Sequence, residues 1–295
     1  MILNVSARTD IVAFYCQWFI KHYELGYFDV RNPFNPKLIS RINVADVDMI
    51  FFCTKNPIPI LNYLNKIDKP IYFHVTLTPY HKDIEPNVLP KILIIEAIKK
   101  LSNQIGIDNI CVRYDPIFIS DNYTLKYHIK YFNKMCTLLK GYVKTIIISF
   151  LDDYKNVRKN KNILNYRPLT EEDYRQIGIN FSKIAKENGM TVQTCFENRN
   201  LTEYGFIKND CLSQELAYKL TGKKYKVWQA RKEKKCNCVE LVDIGSYNSC
   251  RHMCKYCYAN FDEEKVKDNY LKHDPASSLL IGNLENDDVI KVRTC

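Results

Sequence analysis

A chain of 295 residues with 46% apolar content can bury one large α/β core or two small ones, and no Pro/Gly/Ser-rich linker divides it. No apolar run approaches the roughly 18 residues that cross a bilayer, and Met1-Ile-Leu-Asn-Val is too soon interrupted for a signal peptide, so a cytoplasmic protein with no membrane partner is expected. Twelve cysteines in that compartment point to metal or redox chemistry rather than disulfides, and the net charge of +10 permits a phosphate-bearing partner without requiring one.

Short β-branched or aromatic runs alternate with amphipathic stretches as far as Gly245. Strands are expected near 2–6, 48–53, 71–77, 109–114, 144–150, 190–195 and 239–244. The first helix, capped by Thr9 or Asp10, runs through Phe14, Trp18 and Phe19 to Gly26. Others run from about Val88 to Ile105 before Gly106 and from Asn122 to Lys140 before Gly141, each with glycine where the left-handed C′ residue belongs. Thr170 with Asp173 makes a capping box for a helix ending before Gly189, and Ser213 opens a shorter one ending before Gly222. The repeated strand-helix order implies a parallel sheet with right-handed crossovers. Seven strands favour a closed or nearly closed, TIM-like α/β barrel over an open sheet. The expected division is a barrel core over 1–245, with a cysteine-containing excursion at 197–238, and a cysteine-cluster loop with an appended tail over 246–295.

Polar clusters follow the strands: Ser6-Ala7-Arg8-Thr9-Asp10, Thr54-Lys55-Asn56-Pro57, Thr78-Pro79-Tyr80-His81, Arg113-Tyr114-Asp115-Pro116, Asp152-Asp153 and Cys195-Phe196-Glu197. In an α/β barrel the C-terminal strand ends form one rim, where chemistry takes place. Polar βα loops also serve simply to cap helices.

After the last strand, Cys250, Cys254 and Cys257 stand as Cys-x3-Cys-x2-Cys, with Tyr256 before the third. A fully ligated 4Fe-4S cube takes four protein ligands, so a close triplet leaves one iron open. A zinc knuckle is the alternative, although zinc sites generally offer paired cysteines. Cys195, Cys211, Cys236 and Cys238 supply four more thiols, enough for a fully ligated second cluster or an all-cysteine zinc site if the excursion loops back. Two such clusters would leave a net charge of about +7. Cys16, Cys53, Cys111 and Cys136 read as buried small hydrophobes, and Cys295 has no assigned role.

The triplet and its preceding aromatic resemble the radical SAM enzymes. There the open iron chelates the amino and carboxylate groups of S-adenosylmethionine, an electron from a donor such as flavodoxin or ferredoxin breaks a carbon-sulfur bond to give a deoxyadenosyl radical, and the aromatic lies against the adenine, Tyr256 here. Along nearly its whole length the chain resembles the domain of unknown function 1848 family, through Ser6-Ala7-Arg8-Thr9-Asp10-Ile11, Arg31-Asn32-Pro33-Phe34-Asn35-Pro36, Thr54-Lys55-Asn56-Pro57, Arg113-Tyr114-Asp115-Pro116-Ile117, Asp243-Ile244-Gly245 and Tyr256-Cys257-Tyr258-Ala259-Asn260. That resemblance implies a radical-SAM-like cysteine cluster and no particular reaction. In ordinary radical SAM enzymes the cysteine loop follows the first strand, whereas here it follows the last. Circular permutation reconciles the two, and sets the strand of Val239 to Ile244 beside that of Leu3 to Ser6. Ser6, Arg8, Thr9 and Asp10 then replace the Gly-Gly-Glu stretch that holds the methionine moiety of SAM, with Asp10 accepting from the amine and Arg8 bonding the carboxylate. Asp10 reads equally well as an N-cap.

Lys55, His81, Arg113, Asp115 and Arg31 are expected around the mouth, with Arg8, Asp10, Lys55, Arg113 and Asp115 nearest the chemistry; Arg113 and Asp115 also read as an internal ion pair. Lys219 to Lys235 is rich in cations with Tyr225 and Trp228 interleaved, and Lys155, Arg158, Lys159 and Lys161 form a second basic stretch. Such composition suits single-stranded nucleic acid or a solvated loop. The expected function is a radical SAM enzyme abstracting hydrogen from an unknown small-molecule or nucleic-acid substrate; the Tyr-Cys-Tyr-Ala ending is similar to that of spore photoproduct lyase-like enzymes. The contrasting expectation is a non-catalytic, zinc- or iron-sulfur-stabilised protein that binds nucleic acid.

Overall fold

A computed structural model of the chain describes residues 1–194, 197, 199–228 and 237–294. The strands in chain order are β1 (Ile2–Val5), β2 (Tyr27–Arg31), β3 (Leu38–Asn43), β4 (Met49–Thr54), β5 (Ile71–Thr76), β6 (Ile110–Ile117), β7 (Thr145–Phe150), β8 (Thr191–Thr194), β9 (Ile207–Lys208), β10 (Val242–Asp243) and β11 (Val289–Val292). The helices are α1 (Ile11–Phe14), α2 (Cys16–Leu25), α3 (Lys91–Ile105), α4 (Leu125–Leu139), α5 (Lys155–Lys159), α6 (Lys161–Leu164), α7 (Glu171–Glu187), α8 (Gln214–Thr221) and α9 (Glu263–Leu271).

Eight strands make one parallel sheet in the order β10-β1-β4-β5-β6-β7-β8-β9. Side chains alternate across it. Leu3, Val5, Ile50, Phe52, Phe73, Val75, Val112, Ile146 and Ile148 face a core completed by Trp18 and Phe19 of α2, Ile98 of α3, Phe132 of α4 and Phe181 of α7. On the opposite face Ile2, Met49, Phe51, Tyr72, Cys111 and Ile147 meet Leu212, Ala217 and Val239. Burial on both faces explains why these strands read as almost unbroken apolar runs.

The seven expected strands and five expected helices all form. Thr170 and Asp173 complete a capping box on α7, and Ser213 caps α8. Gly26 closes α2 at φ 91°, a left-handed conformation that glycine adopts without a Cβ clash. The first helix breaks at Tyr15 into α1 and α2. The break accompanies a tertiary contact, for Tyr15 Oη donates to the Ser249 carbonyl at 2.6 Å. β10 lies beside β1, the adjacency expected of the strand that leads into the cysteine loop: Leu3 pairs with Val242 and Asn4 with Asp243.

The C-terminal segment, expected as an appendage, is part of the body. β11 runs parallel to β3, which is antiparallel to β2, in a second sheet of order β11-β3-β2. Trp18 Nε1 donates to the Ser277 carbonyl at 2.8 Å. Asp29 on β2 is 1% exposed, accepts both Arg41 Nε (2.9 Å) and Nη2 (2.7 Å), and accepts Ser278 Oγ at 2.7 Å. The basic stretch expected as a loop at 155–161 is instead α5 and α6. No described helix is long and apolar enough to cross a membrane.

Removing Asp29 strands a half-buried guanidinium and releases the C-terminal segment. Asp29→Ala is expected to cost about 3 kcal/mol, read as a lower urea midpoint.

Candidate cysteine-loop site

The cysteine loop leaves the C-terminal end of β10, and that end is fixed to β1 by one carboxylate. Asp243 Oδ1 accepts Ser6 Oγ (2.8 Å) and Gly245 N (2.7 Å), while Oδ2 accepts Asn4 Nδ2 (3.0 Å) and Ala7 N (2.6 Å). Burial raises the pKa of Asp243, opposed by the Arg8 guanidinium 3.7 Å away. Gly245 passes so close to β1 that a Cβ there would sit 1.9 Å from Ser6 Oγ, so this position has no room for a side chain.

Beyond Gly245 the loop is closed on itself and clasped from outside. Asn260 Oδ1 accepts Cys250 N at 3.3 Å, and Asn248 Oδ1 accepts Phe261 N at 2.8 Å. Asn156 and Asn160, around α5, donate to the carbonyls of Cys257 (2.9 Å) and Lys255 (2.7 Å). Asn87 Nδ2 donates to the Arg251 carbonyl at 2.8 Å. His252, within the triplet, places Nε2 2.9 Å from Asp10 Oδ2. Asp10 also accepts Ala13 N (3.0 Å), Thr54 Oγ1 (2.7 Å) and Lys55 N (2.7 Å), so it is the expected N-cap and also the junction of three loops. With four donors on two oxygens, its surroundings favour a structural tie over reception of a ligand amine.

The three cysteines are held on this scaffold. Cys254 is 7% exposed and Cys250 and Cys257 are half-buried. Burial pushes Cys254 up to about 12 and raises the other two thiols, with carboxylate and thiol neighbours adding to the effect at Cys250. Apolar burial therefore favours the protonated thiols until a metal binds, when a coordinating thiol gives up its proton. Two features favour that loaded state: Ala259 N donates to Cys257 Sγ at 3.4 Å, and the Lys55 cation acts on Cys254 and Cys257 to lower their pKa values. Among the described residues, the group of three ligand atoms mutually within 4.8 Å is Glu285, Asp287 and Asp288, not the three thiols.

Lys55 belongs to a buried charge network absent from the sequence reading. Its Nζ lies 2.8 Å from Glu85 Oε1, and Glu85, 1% exposed, also accepts Thr78 Oγ1 (2.6 Å), Lys91 Nζ and Tyr256 Oη. Burial alone would raise the Glu85 pKa; Lys55 and Lys91 overcome it and bring it to about 2. Glu85 and Cys254 raise Lys55 against its own burial, whereas Lys91 is lowered, because burial and repulsion from Lys55 outweigh its share of one carboxylate. Tyr256, expected against the adenine, has its ring 5.5 Å beneath Lys55 Nζ and 5.8 Å from that of Tyr80.

The sheet face that carries Ile2, Phe51, Tyr72 and Cys111 turns polar two residues further along each strand, at Asn4, Cys53, His74 and Arg113. In the ladder Cys53 pairs with His74 and His74 with Cys111. Arg113 Nε donates to Asp115 Oδ2 at 3.0 Å, the ion pair anticipated as one reading. Burial and the Arg113 charge drive the His74 pKa well down. Glu197, quoted in the sixth polar cluster without a role, accepts Ser149 Oγ (2.6 Å) and Phe150 N (2.8 Å), and burial raises it to about 7.

Other expected residues fall elsewhere. Arg31 is not at the mouth: β2 carries it into the second sheet, where it forks onto Asp288 at 2.6 and 2.7 Å. His81 is turned to Tyr127 Oη on α4 at 3.0 Å. Cys16, Cys111 and Cys136 are buried as expected, and Cys53 is half-buried, its Sγ 3.9 Å from Asn4 Oδ1. Of the expected second metal site, Cys195 and Cys236 lie outside the described residues. Cys211 and Cys238 approach to 3.8 Å between sulfurs. Cys211 is disulfide-bonded, so a four-thiolate site there requires its reduction. Residues 229–236 of the basic stretch are outside the described residues; Lys223 within it pairs with Asp48.

Sequence reasoning passed over Glu85, His252 and Asp243. Histidine between metal-spaced cysteines was a legible signal for the second, and a strand-end acid for the third. Glu85 sits in an irregular loop where no periodicity marks it.

The fold and site define an α/β protein that carries a three-cysteine loop over the C-terminal edge of a parallel sheet. Residues 2–259 match the family described as Domain of unknown function (DUF1848), and the chain belongs to that family. No curated protein matches it. Among solved structures, the EAL domain of Xanthomonas citri FimX, crystallised with c-diGMP, is similar over 66% of this chain and 89% of its own at 9% identity, with a TM-score of 0.22. A likeness that slight carries no argument.

Glu85 gives the site a pH signature. Its carboxyl titrates at about 2 in the folded chain against an ordinary 4.5, so its contribution is complete above about 4.5 and is lost as pH falls toward 2. Glu85→Gln is expected to be on the order of 3 kcal/mol less stable than wild type at neutral pH, with the gap closing across that acid window in urea unfolding.

Proposed function

We propose that the protein is a radical SAM-type enzyme whose cysteine loop holds a 4Fe-4S cluster through Cys250, Cys254 and Cys257. The observation that supports this reading most is the loop itself: three closely spaced thiols on one loop, clasped by side chains from several elements, at the C-terminal edge of a parallel sheet. The polar face above the second core has the character of the interior of a partial, circularly permuted barrel. Such a cluster, when bound, supplies an electron to break a carbon-sulfur bond of S-adenosylmethionine. The chain's residues provide the setting. Lys55 offsets the negative charge of Cys254 and its neighbours. Asp10 and His252 hold the triplet against β1 and β4. Arg8, 25% exposed at its side chain, makes long contacts to Asp243 (3.7 Å), the Gly245 carbonyl (3.4 Å) and the Tyr247 ring (5.6 Å to its centroid), so it can turn to a ligand carboxylate. Thr9 Oγ1 is buried and has no partner, which leaves it able to bond the methionine amine in place of Asp10. Arg113 and Asp115 line the approach for a polar substrate, small or nucleic-acid.

Reconstitution with iron and sulfide, followed by EPR of the dithionite-reduced protein, tests the reading. A reduced-cluster signal that shifts with SAM, vanishes in Cys254→Ala and accompanies deoxyadenosine formation is expected. Uptake of zinc alone, or a signal blind to SAM, would favour a metal-stabilised binding protein. Arg8→Ala is expected to keep the cluster signal and to raise the SAM concentration needed for the shift roughly tenfold, the loss of one charge-assisted contact.

A further inference from the structure

A buried polar nitrogen nearly always has a partner, and an exception calls for one. His252 stands between Cys250 and Cys254 and is 3% exposed. Its Nε2 faces Asp10 Oδ2 at 2.9 Å. Asp10 is an acceptor to every other group it meets, Ala13 N, Thr54 Oγ1 and Lys55 N, and so holds the imidazole proton on Nε2. Nδ1, the lone-pair nitrogen of the neutral ring in this orientation, is buried and without a partner. The Phe14 ring, edge-on with its centroid 4.6 Å away, packs the imidazole in that orientation. A histidine anchored to a carboxylate through one nitrogen and free at the other is the arrangement in which proteins present imidazole to a metal.

We propose that His252 Nδ1 is a fourth donor of the cysteine loop, occupying the iron corner that the three thiols leave open until S-adenosylmethionine displaces it. The inference rests on the cluster reading above. Displacement is a ligand exchange: one iron-nitrogen bond breaks, the amino and carboxylate groups of SAM bind in its place, no electron moves, and the imidazole keeps its Nε2 proton against Asp10. A closed corner protects the cluster from water and oxygen while no SAM is bound.

The test is pulsed EPR of the reconstituted, dithionite-reduced protein, prepared with natural-abundance and with 15N-labelled histidine. Without SAM, a directly coupled histidine nitrogen is expected, changing to the 15N pattern on labelling and disappearing when SAM is added. In His252→Gln it should be lost at unchanged iron content. The labelled wild type needs no substitution, so a folding defect in the variant leaves the result readable. A reduced, SAM-responsive cluster with no coupled histidine nitrogen overturns this inference and leaves the three-cysteine reading standing. Failure to form a SAM-responsive cluster overturns both.

Discussion

The carboxylate of Asp10 collects donors from the start of α1, the end of β4 and the middle of the cysteine triplet, the last of them 242 residues further along the chain. Each of its hydrogen bonds satisfies a group that the loops would otherwise bury unpaired, and together they make the positions of the loops interdependent. Asp243 does the same one strand away, tying the exits of β1 and β10. The cysteine loop is therefore set by two acids rooted at strand ends, and the asparagines around it add clasps to a position already defined. This is why a segment with little regular secondary structure can hold three thiols in place.

Beside it lies the opposite solution to burying charge. Glu85 keeps its negative charge in the interior because two lysines and two hydroxyls face it, and Lys55 keeps its positive charge because Glu85 faces it. Neither group would remain ionised there alone. Of these cations Lys55 is the one that acts on Cys254 and Cys257 to lower their pKa values. The inner face of the sheet follows a related gradient, apolar where it meets α8 and polar two residues nearer the rim, so that reactive groups are kept to one end of the strands.

Much of this was legible because the signals were local or periodic. The strand runs, the capping box at Thr170, the glycine at Gly26 and the cysteine spacing each follow from a few neighbouring residues. The adjacency of β1 and β10 followed from placing the cysteine loop in a familiar order. What escaped was long-range. Arg31 was placed at the mouth because a cation in a polar loop gives no hint that β2 will carry it to Asp288. β11 finds its partner β3 at the other end of the sequence, Val289 beside Leu38, so the C-terminal segment read as a tail. Glu85 had no pattern to announce it, and His252 was overshadowed by the cysteines on either side.

One neighbour of β1 is made long after it: Leu3 pairs with Val242 and Asn4 with Asp243. At a synthesis rate of about 5–20 residues per second, the edge of β1 stays open for roughly ten to fifty seconds before Val242 and Asp243 emerge, long after β4 to β8 exist to pair among themselves. An open parallel edge is a template for unwanted pairing. The cysteines follow β10 directly, so the cysteine loop is made only once the strand that closes that edge has been made.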